Sequence, residues 1–138
     1  MASSLSGGER TFPFTPRSTR ELRIGDIIAV PVGEAWGCLQ VADLAESGPG
    51  SRSVFIAAVV AYDGLRSPTV ETVLGRPILE QAMTRVEMFT EGGLKVVGNC
   101  AVTSNPHSSN FRDHGVGVVH YVWGWKAAIG RAAGGIVH

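Results

Sequence analysis

The stretch Val54-Phe55-Ile56-Ala57-Ala58-Val59-Val60-Ala61-Tyr62 constrains the fold more than any other. It is apolar at both alternating sets of positions and rich in β-branched residues, which predicts a strand covered on each side. Such a strand needs neighbours in a sheet and a layer over both faces. At nine residues the run is too short to span a bilayer, so it belongs to a core. A chain of 138 residues fits one domain and can build that core without metal or disulfide staples.

Two further stretches predict its companions. Leu22-Arg23-Ile24-Gly25-Asp26-Ile27-Ile28-Ala29-Val30-Pro31-Val32 places a Gly-Asp turn before a β-branched run, and the proline sits where a ladder donor can be spared. Ile24 to Val32 therefore reads as the first strand, and Trp36 to Leu44 as a second, joined by a short Gly33-Glu34 turn into a hairpin. Residues 45–53 are a loop by composition. Met83 to Thr90 reads as a strand with Val86 and Met88 inward, Leu94 to Val97 as a short one, and Val116 to Trp123 as an amphipathic one. Ser67-Pro68-Thr69-Val70-Glu71 suits a helix start, with Ser67 as cap and a stop at Gly75 and Pro77 after about two turns. Trp125 to Ala133 could form a short helix, weakened by Gly130. The expected fold is mainly β, a small curved sheet or SH3-like barrel with one or two short helices, with α+β as the alternative.

Residues 1–21 combine Ser, Gly, Thr, Pro and scattered Arg without periodicity and read as a flexible N-terminal arm. Phe12 and Phe14 could pin part of it to the domain, which spans 22–138. Removal of the arm is expected to leave folding intact. The arm shows no apolar stretch of the signal-peptide kind, which points to the cytoplasm. Two cysteines, Cys38 and Cys100, read as small buried apolar side chains in a reducing compartment. Net charge is zero, yet residues 1–23 carry +2, residues 24–91 carry −5 and residues 92–138 carry +3. An acidic middle could attract a basic partner such as a nuclease. Interleaving of the three segments in space, the favoured reading, would cancel the asymmetry. Nothing in the pattern resembles a nucleic-acid footprint.

The order Gly25-Asp26, Pro31, Trp36-Gly37, Gln40-Val41, Pro68 with Val70 and Val73, and Val96-Val97-Gly98-Asn99 resembles the immunity protein 26 family of bacterial polymorphic-toxin systems. The matching segments lie between Arg23 and Asn99. Leu94-Lys95 stands where members of that family often carry Trp-Pro. The resemblance implies a non-catalytic protein that binds and neutralises a cognate protein toxin by occlusion, with no cofactor, metal, nucleic acid or membrane involved.

Candidate chemistry is sparse. Asn105, His107, Asp113, His114 and His120 could be read as a metal set, but His107 and His114 are seven apart in an irregular loop and no Cys-x-x-Cys supports them. Whether His107, His114 and His120 converge is not written in their spacing. Ser108 or Ser109 with His120 and Asp113 lacks a Gly-x-Ser-x-Gly elbow. Neither Gly48-Pro49-Gly50 nor Gly130 to Gly135 matches a nucleotide-binding loop. Asp26 reads as a structural acceptor of amide hydrogen bonds, so Asp26→Asn is expected to cost little. Trp36 reads as a core anchor. A partner is expected on the connection Asn99 to Gly115 and the aromatic end of the strand after it, through Asp113, Tyr121, Trp123 and Trp125. A toxin ribonuclease on an SH3-like barrel, using Gly25-Asp26 and Arg76-Pro77, is a second reading, though Arg76 lies far from the second strand. A small-ligand module using exposed tryptophans is a third.

Overall fold

A computed structural model describes residues 10–45, 52–103 and 123–136. Its strands are β1 (Asp26–Val32), β2 (Ala35–Leu44), β3 (Val54–Val60), β4 (Ile78–Arg85) and β5 (Lys95–Asn99). They form one antiparallel sheet in the order β4-β3-β2-β1-β5. Three short helices accompany it among the described residues: α1 (Val70–Val73), α2 (Glu87–Thr90) and α3 (Trp125–Gly134). Among the described residues the two edge strands do not pair, so the mainly β fold they form is a curved open sheet. Register shifts at Ile27/Ile28, between Val41 and Asp43, and at Val59/Val60 bend and twist it. No helix among the described residues is long and apolar enough to cross a membrane.

The doubly apolar run is β3, flanked by β2 and β4 and buried from Phe55 to Val60. On one face Phe55, Ala57 and Val59 join Ile28, Val30, Leu39 and Val41 beneath α2 and α3. The Phe55 and Phe89 rings stack at 5.9 Å, tying β3 to α2. Each such fully buried side chain contributes roughly 1.5–3 kcal/mol. On the other face Ile27, Cys38, Val60, Tyr62, Val73 and Cys100 form a second cluster under the segment carrying α1. Helix α3 lies close because its sheet-facing residues Ala128 and Ala132 are small and fully buried. Gly37 on β2 permits that approach, since a Cβ there would meet the Ala132 carbonyl oxygen at 2.9 Å.

The β1–β2 hairpin forms as expected, with Val32 opposite Ala35 and Gly33 at φ 60° in the turn. Helix α1 starts later than expected and has a single turn. Its cap is Thr69, not Ser67: Thr69 Oγ1 accepts from Thr72 N at 3.3 Å and Thr72 Oγ1 from Thr69 N at 2.8 Å. The expected strand Met83 to Thr90 is corrected more deeply. Strand β4 runs from Ile78 and ends at Arg85, opposite Val54 where β3 begins. Among the described residues no strand is paired with residues 86–90. The backbone turns into α2 instead, with Thr90 N donating to Val86 O and Glu91 N to Glu87 O. Val86, Met88 and Phe89 are still buried, so the inward positions hold while the local conformation does not.

Residues 10–21 of the expected flexible arm lie on the domain. Phe14 N donates to Val96 O at 3.0 Å and Val96 N to Phe14 O at 2.9 Å, which satisfies an otherwise open position on the edge of β5. Ser18 caps a 3-10 turn at Thr19–Glu21, and Thr19 N donates to Arg52 O. Phe14 pins the strap, through its bridge to Val96 and its packing on the first cluster, whereas Phe12 is exposed and its ring lies against Phe14. The charge segments interleave as well, since Arg10 pairs with Asp26 and Arg131 with Glu80. The expected strand over residues 116–122 and most of the connection before it lie outside the described residues.

Candidate functional site

The Gly-Asp corner at the start of β1 is built for structure. Gly25 has φ 97°, and a Cβ on it would overlap the Cys100 carbonyl oxygen. Asp26 follows, fully buried. One carboxylate oxygen accepts from Arg23 N at 2.8 Å and Arg10 Nη1 at 2.9 Å. The other accepts from Asn99 Nδ2 at 2.9 Å and from Arg10 Nη2. Asp26 thus joins the strap (residues 10–14), β1 and β5. Its acceptor capacity is spent on holding them together, which matches its structural reading.

Buried Gln40 and Tyr62 and partly buried Arg76 are engaged in the same way. Gln40 Nε2 donates to the carbonyls of Gly25 at 3.1 Å and Cys100 at 2.8 Å. Arg76 donates from Nε to Thr72 O, from Nη1 to Ala61 O and from Nη2 to Asp63, and its guanidinium lies 5.2 Å from the centre of the Tyr62 ring. Tyr62 Oη donates to Arg66 O, and it is hydrogen-bonded to Thr72 Oγ1. Burial raises the Tyr62 phenol above its ordinary range. Cys38 and Cys100 are free and buried. Burial pushes the Cys38 thiol far up, the neighbouring Cys100 adds to this, and Arg76 opposes it. The Cys100 thiol is raised too, by burial against the opposing Gln40 hydrogen bond. Neither is a poised nucleophile. Among the described residues no group of His, Cys, Asp or Glu is placed to hold a metal ion.

What remains open to a partner lies on either side of the strap. One concavity of about 340 Å³ is an apolar groove at the hairpin end of the sheet. Pro13, Ala29, Pro31, Trp36, Leu94 and Val97 give it apolar walls, and Lys95 is the charged side chain on its lining. Trp36 is half-buried: it packs against the second cluster, as its reading as a core anchor held, and it also lines the groove. A second cavity of about 330 Å³ is lined by Arg10, Thr11, Phe14, Arg20, Glu21 and Arg23. The strap is therefore a wall of both, through Pro13 on one side and Phe14 on the other.

Of the expected partner-binding residues, Asp113 and Tyr121 lie outside the described residues, as do His107, His114 and His120. Trp123 is buried in the cluster beneath α3; its backbone N–H donates to Met83 O at 2.8 Å, and the Arg131 guanidinium lies 5.7 Å from its ring centre. Trp125 is the first residue of α3, so the two tryptophans do not extend one strand as expected. Its half-buried ring lies against Gly92, where a Cβ would meet it at 2.8 Å. Gly92 also lines the apolar groove, which places Trp125 across one turn from it. The groove went unread in the sequence because its residues come from the strap, β1, β2 and the turn into β5. The arginine-lined cavity had a signal in the recurrence of Arg10, Arg20 and Arg23 around two phenylalanines. No family model, curated protein or solved structure matches this chain.

Proposed function

We propose that the chain is a non-catalytic binding protein that neutralises a cognate protein toxin by occluding its active surface, the role its resemblance to immunity protein 26 implies. The observation that supports this reading is the open apolar groove with Trp36 on its wall. A half-buried tryptophan beside apolar residues offers a large contact area, and such anchors carry much of the energy of protein interfaces. Trp125 extends the surface across Gly92, whereas Trp123 serves the core. The ribonuclease reading loses ground because all three guanidinium nitrogens of Arg76 are engaged within the chain. A small apolar ligand is the second reading, since about 340 Å³ lies at the lower end of the size range of ligand sites.

Co-expression with the toxic domain encoded by the adjoining gene tests the proposal. The chain should restore growth, and Trp36→Ala should weaken the complex by about 2 kcal/mol with circular dichroism unchanged. Failure of the intact chain to protect or to bind that domain overturns the reading, as does RNA cleavage by the purified chain.

A further inference from the structure

The arginines of residues 10–23 do not share one role. Arg10 is committed to Asp26, and its guanidinium lies 5.2 Å from the Phe12 ring centre and 5.4 Å from that of Phe14. Arg17, Arg20 and Arg23 are exposed, and the last two line the second cavity. The hydrogen bond from Thr19 N to Arg52 O brings a fourth exposed arginine to the same segment. Across the strap, exposed Lys95 lines the apolar groove. Among the described residues, the exposed carboxylate beside the arginines is Glu21, whose Oε1 accepts from Arg17 N at 3.0 Å, and exposed Glu91 adjoins Gly92 at the groove. Asp26 is buried and neutralised by Arg10.

We infer that the strap and the 3-10 turn after it form a basic docking face for an acidic segment of a protein partner, with an apolar side chain of that segment entering the Trp36 groove. The inference rests on the binding role proposed above and specifies the chemistry of the partner. It departs from the basic partner suggested by the acidic middle of the sequence, because Asp63, Glu80 and Glu87 of that middle are paired with Arg76, Arg131 and Arg85, and its exposed Glu34, Glu71 and Glu91 lie outside the strap and the 3-10 turn. On the strap and the 3-10 turn the excess charge among the described residues is positive, with Arg17, Arg20 and Arg52 exposed against Glu21. Complementary charge there speeds encounter and fixes orientation, while the groove supplies the desolvated anchor. A polynucleotide fits less well. The aromatic rings among these arginines are turned onto Arg10 and onto each other, with Phe12 and Phe14 centres 5.8 Å apart, and do not form a stacking platform.

The test uses the full chain labelled with nitrogen-15 and a blocked peptide of about ten residues, glutamates with interspersed leucines, a length spanning both cavities. Saturable amide shifts are expected at Arg17, Arg20, Arg52 and Lys95 and at the Trp36 indole. Affinity should fall with added salt and drop about tenfold or more in the triple variant Arg17→Glu, Arg20→Glu, Arg52→Glu. The triple alanine variant at these positions should show an intermediate loss, and it replaces the glutamate variant if that one unfolds. Equal binding by the lysine-for-glutamate peptide, unchanged affinity in the variants, or tighter binding of a single-stranded RNA at the same residues overturns the inference. No toxin enters this measurement, so its failure leaves the protection experiment to decide the broader reading.

Discussion

Asp26 receives donors only, and that decides how substitutions there behave. Arg10 supplies two nitrogens, Asn99 one, and the Arg23 backbone a fourth donor. An asparagine keeps the shape but must turn its own amide toward one of those donors and leaves the Arg10 guanidinium, 15% exposed, without its counter-charge. Asp26→Asn should therefore cost about 2 kcal/mol or more, and Asp26→Ala at least as much, in urea unfolding. This reverses the expectation that asparagine would be benign. The structural role of Asp26 was legible from its place after a turn glycine. The identity of its main partner was not, because Arg10 lies in a stretch with no periodicity. If Asp26→Asn unfolds at the wild-type urea midpoint, the ion pair contributes nothing and the corner is held by backbone donors alone.

At the scale of elements, pattern reading succeeded where burial and hydrogen bonding agree and failed where they part. Strands β1, β2 and β3 each carry a side-chain alternation or a fully apolar run that matches their place in the sheet. Residues 86–90 carry inward apolar positions that suit a strand, yet β3 begins opposite Arg85, the pairing runs out after the bond from Val86 N to Ser53 O, and the helix wins. The strap fails the pattern in the opposite sense. It has too few apolar residues to announce itself, but it fills the edge of β5 at Val96 and delivers Arg10 to Asp26. Deleting residues 1–20 should therefore lower stability by about 2–4 kcal/mol, through an unpaired buried carboxylate and an opened sheet edge. Thermal unfolding of the chain beginning at Glu21 measures this. A midpoint within a few degrees of wild type would return the strap to the dispensable arm expected from its composition.

For the whole molecule, the open question is how much of its aromatic content serves the core and how much a partner. The mainly β architecture and the double cover over β3 were readable because an apolar run of that kind admits few surroundings. The apolar groove was not, because it gathers residues distant in sequence, Pro13, Trp36 and Leu94 among them, whose meeting depends on strand order. Trp123 and Trp125 show the division, although only Gly124 separates them. Trp123 is 9% exposed, within the cluster under α3, and holds Met83 through its backbone amide. Trp125 packs on the same cluster with part of its ring outside, beside Gly92 and the groove that turn lines. Trp123→Ala should thus lower unfolding free energy by about 3–5 kcal/mol and lose partner binding only as the fold is lost. Trp125→Ala should cost about 1–2 kcal/mol of stability, because its surface is only partly withdrawn from water. Its effect on protection from the toxin should exceed that loss, by about 2 kcal/mol in complex affinity. Urea unfolding and titration of the complex, run on both variants, separate the two roles. Equal losses in the two measurements for Trp125→Ala would assign that ring to the core and leave Trp36 as the anchor of the groove.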